Sequence, residues 1–322
     1  MGNKLLPFAA VCAVLAAGCT PEPEAPESAA VAPPAAPAGE VITAARGGFI
    51  PEGIEYDQAN GRFLTGSLAE GSIFVIGRDG SVTPFITDAE LVSSVGIEAD
   101  EARDRLLVTN SDRSVFQPGN VGQAKLGVFS LTSGEKLAMV DLAAVIGTPT
   151  DPAAYFANDV TVDGEGNAYV TDTRQNVVYK VTPTYEASVL HRFASLPEGT
   201  ALNGIVYHDG GYLLVVAGAN IYKVPVANAA GTTQVNVADP VPGQDGALWD
   251  AAGRLVVVSN SAEAPRVVAL TSSDDWVSAQ RAAVATVVGQ ATTAAAVGTE
   301  IYAVHPHFAD AEPPSIEQAV FQ

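Results

Sequence analysis

The chain has 322 residues, with 36 Asp and Glu against 16 Lys and Arg and a formal net charge of −20. That balance, with no basic stripe anywhere, excludes a nucleic-acid partner, and an acidic field of this strength favours cations over acidic polymers. Its two cysteines, Cys12 and Cys19, both precede the region able to fold, which excludes disulfides, a thiolate nucleophile and a cysteine-ligated zinc from that region.

At the N-terminus, Lys4 is followed by an apolar run over residues 5–17, broken only by Pro7. The run is too short for a permanent membrane span and reads as an export signal. Leu15-Ala16-Ala17-Gly18-Cys19 resembles a lipobox, which predicts removal of residues 1–18 and lipidation of Cys19. The other reading is an ordinary cleaved signal with an incidental cysteine. Residues 19–40 are rich in Pro, Ala and Glu and cannot bury a core, so they predict a disordered linker that holds a folded domain off a membrane. The expected location is the cell envelope, lipid-anchored, on the periplasmic face if the host is Gram-negative. Residues 41–322 then form one domain, roughly 280 residues that must rely on core packing.

Along that domain, strand-like apolar segments recur in units. The first has Ile54, Tyr56, Phe63 and Leu64 around an Asn60-Gly61 turn, then residues 72–76, an Arg78-Asp79-Gly80 turn and residues 82–86. Asn-Gly and Asp-Gly between alternating hydrophobics are strong hairpin signals. The second unit begins at Val95, continues at residues 106–109, and is delayed by a polar insertion over residues 111–124 before residues 126–129. Long polar loops in compact domains are often functional. Residues 137–146 read either as a helical turn or as strand plus loop. The third unit has residues 158–162, the turn Asp163-Gly164-Glu165-Gly166, and strands at 168–171 and 177–181. Strands at 212–216 and 221–224, at 255–259 and 267–270, and at 294–297 and 301–304 give three more units. Units of roughly 40–60 residues with four strands each predict an all-β, six-bladed β-propeller. Residues 41–44 are expected to close the ring as the outer strand of the last blade, removing an unpaired edge.

Six segments open these units: Glu52-Gly53-Ile54, Val95-Gly96-Ile97, Asn158-Asp159-Val160, Asn203-Gly204-Ile205, Asp245-Gly246-Ala247 and, more weakly, Thr293-Ala294-Ala295. In a propeller, first strands line the central channel and their opening residues meet at one mouth. Glu52, Asn158, Asn203 and Asp245 then offer two carboxylates and two amide oxygens to a hard cation, with calcium the expected ion and another divalent cation the alternative. Singly, each of these residue types is also an ordinary turn former.

The same residues, with Pro51-Glu52-Gly53-Ile54 and residues 158–163 and 244–246 as they stand here, resemble the SMP-30/gluconolactonase-like propellers, an architecture shared by paraoxonase- and strictosidine-synthase-like proteins. The resemblance spans about residues 47–308. It implies a central divalent metal, usually calcium, and hydrolysis of lactones, esters or phosphotriesters. By position it implies Glu52, Asn203 and Asp245 as metal ligands, Asn158 as ligand or substrate contact, and Asp245 as base toward water. Val95 stands where the paraoxonase-like branch carries a catalytic His, which argues against a His-based mechanism.

Further substrate-binding candidates are Asn110 and Arg113, after the second strand of the second blade, and His305, beside His307. Arg113 suits an anionic group, or else a surface ion pair. His305 and His307 form a His-x-His pair that either borders the mouth or lies in a surface loop. His191 and His208 read as surface residues, Trp249 and Trp276 as packing. The expectation is an exported, calcium-dependent lactone or ester hydrolase acting on a small molecule. The alternative is a non-catalytic envelope propeller that binds a ligand or protein partner around a structural calcium ion.

Overall fold

The computed structural model describes residues 39–150, 153–261, 265–308 and 312–322. The expected signal, the expected lipidation site Cys19 and the expected linker up to residue 38 lie outside the described residues. Among the described residues, helix is limited to short 3-10 turns, Glu101–Arg103, Arg113–Phe116, Ala143–Val145 and Val226–Gly231; everything else regular is strand. None of the described helices is long and apolar enough to cross a membrane.

The strands form antiparallel meanders in a β-propeller-like arrangement. Ile54–Asp57, Arg62–Thr65, Ile73–Ile76 and Val82–Ile86 make one sheet. Ser93–Asp100, Arg105–Ser111, Gly122–Ser130 and Lys136–Asp141 follow, and Tyr155–Val162, Ala168–Asp172, Val177–Val181 and Ala187–Arg192 repeat the pattern. A short parallel pairing of Tyr155 and Phe156 with Gly122 and Gln123 joins these two meanders into one continuous sheet. Next come Leu202–His208, Tyr212–Ala217, Asn220–Pro225 and Thr233–Gln234, then Gln244–Trp249, Leu255–Ser259, Arg266–Thr271 and Ser278–Thr286. The last sheet holds Ala294–Val297, Glu300–His305 and Ser315–Gln318, with Val41–Thr43 paired antiparallel on its outer edge. Residues 137–146 resolve into the strand Lys136–Asp141 and one 3-10 turn.

Successive residues of a strand point to opposite faces, and here both faces are covered. Phe63 packs with Phe74, Tyr302 and Ile316 of the last sheet, while its neighbour Leu64 packs with Leu106 and Phe129 of the second. Tyr169 and Val170 divide in the same way between two clusters. Each buried side chain of this size is worth about 1.5–3 kcal/mol, so stability lies between sheets and not in one central core. Two ties hold the ends. Gln318 N–H donates to Glu40 O beside the paired Val41–Thr43, and Gln322 exchanges backbone hydrogen bonds with Val284 of the preceding sheet.

Hairpin turns follow the local chemistry read from the sequence. Gly61 adopts φ +63°, which its missing Cβ permits. Asp163 accepts from the N–H groups of Glu165 and Asn167, from Asn167 Nδ2 and from Tyr169 Oη, so its loop is a satisfied turn with no lone pair aimed at a cation.

The first strands pack side by side around the axis, each on the next, from Ile54–Asp57 through to Ala294–Val297 and back. Their approach is tight. A Cβ on Gly53 would collide with Val95 O, one on Gly96 would lie 2.6 Å from Asn158 O, and one on Gly204 would lie 2.6 Å from Asp245 O. Gly204→Ala should therefore lower unfolding free energy by about 1–3 kcal/mol, because only backbone atoms surround the site and none can rotate away. Gly164→Ala, with nothing within 4 Å of its Cβ, should stay within about 0.5 kcal/mol of the parent. Urea denaturation of the two variants checks this, and equal losses would contradict the packing argument.

Candidate functional site

The opening residues stand where the first strands break register with their partners. Pairing skips Val95-Gly96, Asn158-Asp159, Asn203-Gly204 and Asp245-Gly246. Such bulges leave backbone groups unpaired and turn side chains aside. Buried threonine hydroxyls take up the slack. Thr109 Oγ1 accepts from Gly96 N–H and donates to Asn158 O at 2.7 Å, in the next meander. Thr171 Oγ1 accepts from Asp159 N–H and donates to Asn203 O at 2.6 Å, again one sheet on. Thr292 Oγ1 donates to Glu52 O at 2.7 Å, which links the last sheet to the first. The openers are thus fixed by hydrogen bonds between neighbouring meanders.

A cavity of about 240 Å³ runs along the axis, and Glu52, Asn158 and Asn203 are in its wall. Asp245 is 4% exposed and sits just behind that wall. Its carboxylate accepts hydrogen bonds from Asn260 Nδ2 and from the Asn203 amide. Asn158 Nδ2 donates to Thr173 Oγ1 at 2.9 Å. Both amides therefore spend their N–H on neighbours and keep their oxygen as acceptor.

Three further carboxyl groups line the cavity: Glu55, Glu98 and Asp159. Asp159 stands where four other openers are followed by glycine. Its carboxylate accepts from Ile205 N–H at 3.1 Å and Val160 N–H at 2.9 Å. Glu55 and Glu98 occupy one register position, the residue after the first paired isoleucine, Ile54 or Ile97. Sequence reasoning passed over all three. The signals were an Asp interrupting a row of glycines and a glutamate repeated at one position in a strand that should be apolar.

Burial and mutual repulsion hold these acids back from ionising. Burial, then Asp245 and Asp159, push Glu52 well above the ordinary carboxyl range. Burial pushes Asp245 up to about 7 against the opposing bonds from Asn203 and Asn260. Burial likewise raises Asp159 to about 7. Glu55 rises to about 7 through burial, opposed by its bond to Tyr56 N–H and helped by Asp159. Burial, Glu55 and Asp159 raise Glu98. Among the described residues no three His, Cys, Asp or Glu side chains converge closely enough to hold a metal by themselves. Any cation at the mouth must therefore draw on the amides. Two carboxylates with two amide oxygens are the donor chemistry of a hard divalent ion, and carboxyls held partly protonated by one another are what such an ion would relieve.

The remaining candidates are not brought to the cavity. Asn110 is fully buried and ties loops together: its Oδ1 accepts from Val92 N–H and Gln123 Nε2, and its Nδ2 donates to Glu90 O. Arg113 is exposed on the insertion, where among the described residues only its backbone N–H is engaged, by Ser93 Oγ. His305 is 1% exposed, and its Nε2 lies 3.2 Å from Glu317 Oε2 between outer strands of the last sheet. Polar residue type did not reveal these side-chain directions. Trp249 lines the cavity, its Nε1 donating to Tyr207 O, while Trp276 packs against it edge-on. His208 stacks on Tyr212 and His191 meets Phe193. Val95 is buried with Val115, Ala154 and Phe156.

No protein-family model matches the chain, and no curated protein sequence matches it. Solved structures match over most of its length. The major allergen Mala s 1 of Malassezia sympodialis has a TM-score of 0.66 and 16% identity, covering 87% of this chain and 96% of its own. A gluconolactonase of Xanthomonas campestris has a TM-score of 0.57 and 14% identity, covering 88% and 99%. A luciferin-regenerating enzyme has a TM-score of 0.59 and 13% identity, covering 87% and 95%. At these identities the likeness is one of fold: the chain is an all-β propeller. That fold is shared by the allergen, the gluconolactonase and the luciferin-regenerating enzyme alike.

The raised carboxyls set a pH dependence. Unfolded carboxyls titrate near ~4, whereas folded Glu55 and Asp159 titrate at about 7. Between those values the folded state binds more protons, so stability from these groups is full below the unfolded pKa and is lost as pH rises through about 7. Metal-free protein should melt progressively lower from mildly acidic to mildly alkaline buffer, and Asp159→Asn should flatten that slope. An unchanged slope in the variant would contradict the assignment.

Proposed function

We propose that the protein is an exported six-bladed propeller that hydrolyses a lactone or related small ester at a calcium ion held by Glu52, Asn158, Asn203 and Asp245. The observation that carries this reading is the set of four oxygen-bearing openers held at one end of the axial cavity, three in its wall and the fourth hydrogen-bonded to one of them. Four-stranded meanders whose first strands pack in a closed succession support the blade count. When bound, the cation would polarise the ester carbonyl and stabilise charge developing on its oxygen.

The chain's own residues supply the rest. Asp245, just behind the cavity wall, is the carboxylate base that removes a proton from the attacking water. Asn203 and Asn260 hold its carboxylate in place. Asn158, anchored through Thr173, presents its amide oxygen to the mouth. The acidic cavity repels the carboxylate product and so favours its release. The lipobox-like Cys19 and the linker after it support tethering to a membrane at the cell envelope.

A second reading is a binding propeller in which calcium is a structural pin. It is favoured by Val95, whose burial among apolar side chains leaves that opener without a titrating group. Turnover decides between them. Chelator-stripped protein should regain hydrolysis of a panel of lactones, aryl esters and phosphotriesters on adding calcium, and its melting temperature should rise. Asp245→Ala should lose calcium retention and lower turnover by about 10²-fold or more while remaining folded. A calcium-raised melting temperature with no turnover on any panel member would establish the binding reading. Full activity in Asp245→Ala would sink the hydrolase.

A further inference from the structure

Away from the axial cavity lies another depression of about 450 Å³, walled by Val115, Phe116, Val121, Ala154 and Arg174 with the polar Gln117 and Asn120. It belongs to the insertion over residues 111–124 and to the turn after Ala168–Asp172, and it shares no wall residue with the axial cavity. Phe116 is 60% exposed and Val121 50%, and the two stand together on one loop, whereas other exposed apolar side chains such as Val277 and Val288 lie elsewhere in the sequence.

The exposure is built in and does not come from slack. Asp112 Oδ1 accepts from Ser114 N–H and starts the 3-10 turn Arg113–Phe116. Val115 is driven into a cluster with Val95, Ala154 and Phe156. The Phe116 ring meets Phe156 edge-on at 5.0 Å, and Val121 O accepts from Tyr155 N–H. The loop is thus seated on the strand that carries Asn158, with an open aromatic face.

At one side of this trough stands Arg174. Its backbone is set by Asp172 Oδ1, which accepts from its N–H at 2.9 Å. Its side chain is exposed, and among the described residues its guanidinium makes no hydrogen bond or ion pair, a state it shares with Arg113. Arg46, Arg62, Arg78, Arg103, Arg105, Arg254 and Arg281 each hold a carboxylate. A trough with an apolar Phe116/Val121 side and a cation opposite matches a ligand with the complementary pair of features.

We propose that this trough binds a monocarboxylate carrying an unbranched apolar chain, with the chain against Phe116 and Val121 and the carboxylate paired with Arg174. The planar guanidinium takes a carboxylate through two parallel hydrogen bonds. A single guanidinium neutralises one charge, so in this acidic field a monoanion is favoured over a phosphate dianion. The volume falls in the range of small-molecule sites, about 300–1,000 Å³. The site stands apart from the chemistry at the axis, and its test reads binding alone.

Titration calorimetry on the protein with decanoate, below its micellar concentration, and with decanol as the uncharged control, tests the assignment. Decanoate should bind one to one. Arg174→Gln should weaken decanoate by ~10-fold or more and leave decanol unchanged, while Phe116→Ala should weaken both. Thermal melts of both variants should match the parent, since both side chains are exposed. Absence of decanoate binding, or binding that survives both substitutions, overturns the proposal, and decanoate and decanol binding equally overturns the role of Arg174.

Discussion

Where the first strands converge on the axis, a carbonyl of one strand fills the space that a side chain would need on its neighbour. Val95 O does this for Gly53, Asn158 O for Gly96 and Asp245 O for Gly204. Glycine at these places is a steric requirement. Because the glycines admit the neighbouring backbone, the residue before each one is forced off the ladder and its side chain is left near the axis. The threonine hydroxyls of Thr109, Thr171 and Thr292 then carry hydrogen bonds from one meander to the next. A single packing rule therefore sets the ring, the bulges and the direction of the openers.

That geometry has an electrostatic cost, which the fold meets elsewhere. Glu52, Glu55, Glu98, Asp159 and Asp245 share a narrow space, and burial is the first cause of the rise in each. Asp159 is the informative member. It replaces the glycine of the repeat and survives there because its carboxylate receives the N–H of Ile205 from the next strand, so a hydrogen bond substitutes for the carbonyl contact. Buried acids of this kind are tolerated only where packing supplies a surplus. Here the surplus comes from the apolar clusters between sheets, and from the ties that the paired Val41–Thr43 and the C-terminal residues add.

Much of this was legible in the sequence because the physics behind it is local. Period-two apolar runs and Asn60-Gly61 or Asp163-Gly164 turns mark strands wherever the chain goes, and the openers repeat in register. What was hidden depends on direction in three dimensions. Asn110 and His305 are polar by type, yet the fold turns one into a loop clamp and sets the other against Glu317. Glu55 and Glu98 look like solvent-facing strand residues until the strand is known to be axial. The short strand Thr233–Gln234 is exposed and carries no apolar pattern to announce it.

A repeat that obeys the same packing rule in every sheet carries no information about a ligand, since its conserved geometry is already explained by closure of the ring. Individual chemistry must lie where the repeat is broken. The breaks are few: an Asp in a glycine's place at 159, a pair of glutamates at 55 and 98, an apolar Val95 among polar openers, and the insertion that carries Phe116. The first two concentrate carboxyl groups on the axis, where burial raises them. The last two act together through the cluster of Val95, Val115 and Phe156, which replaces a polar group at the mouth with a platform for the insertion. The valine that removes a titrating side chain from one opener is also what seats the loop beside Asn158, so the loss of polarity and the gain of an apolar rim are one structural event.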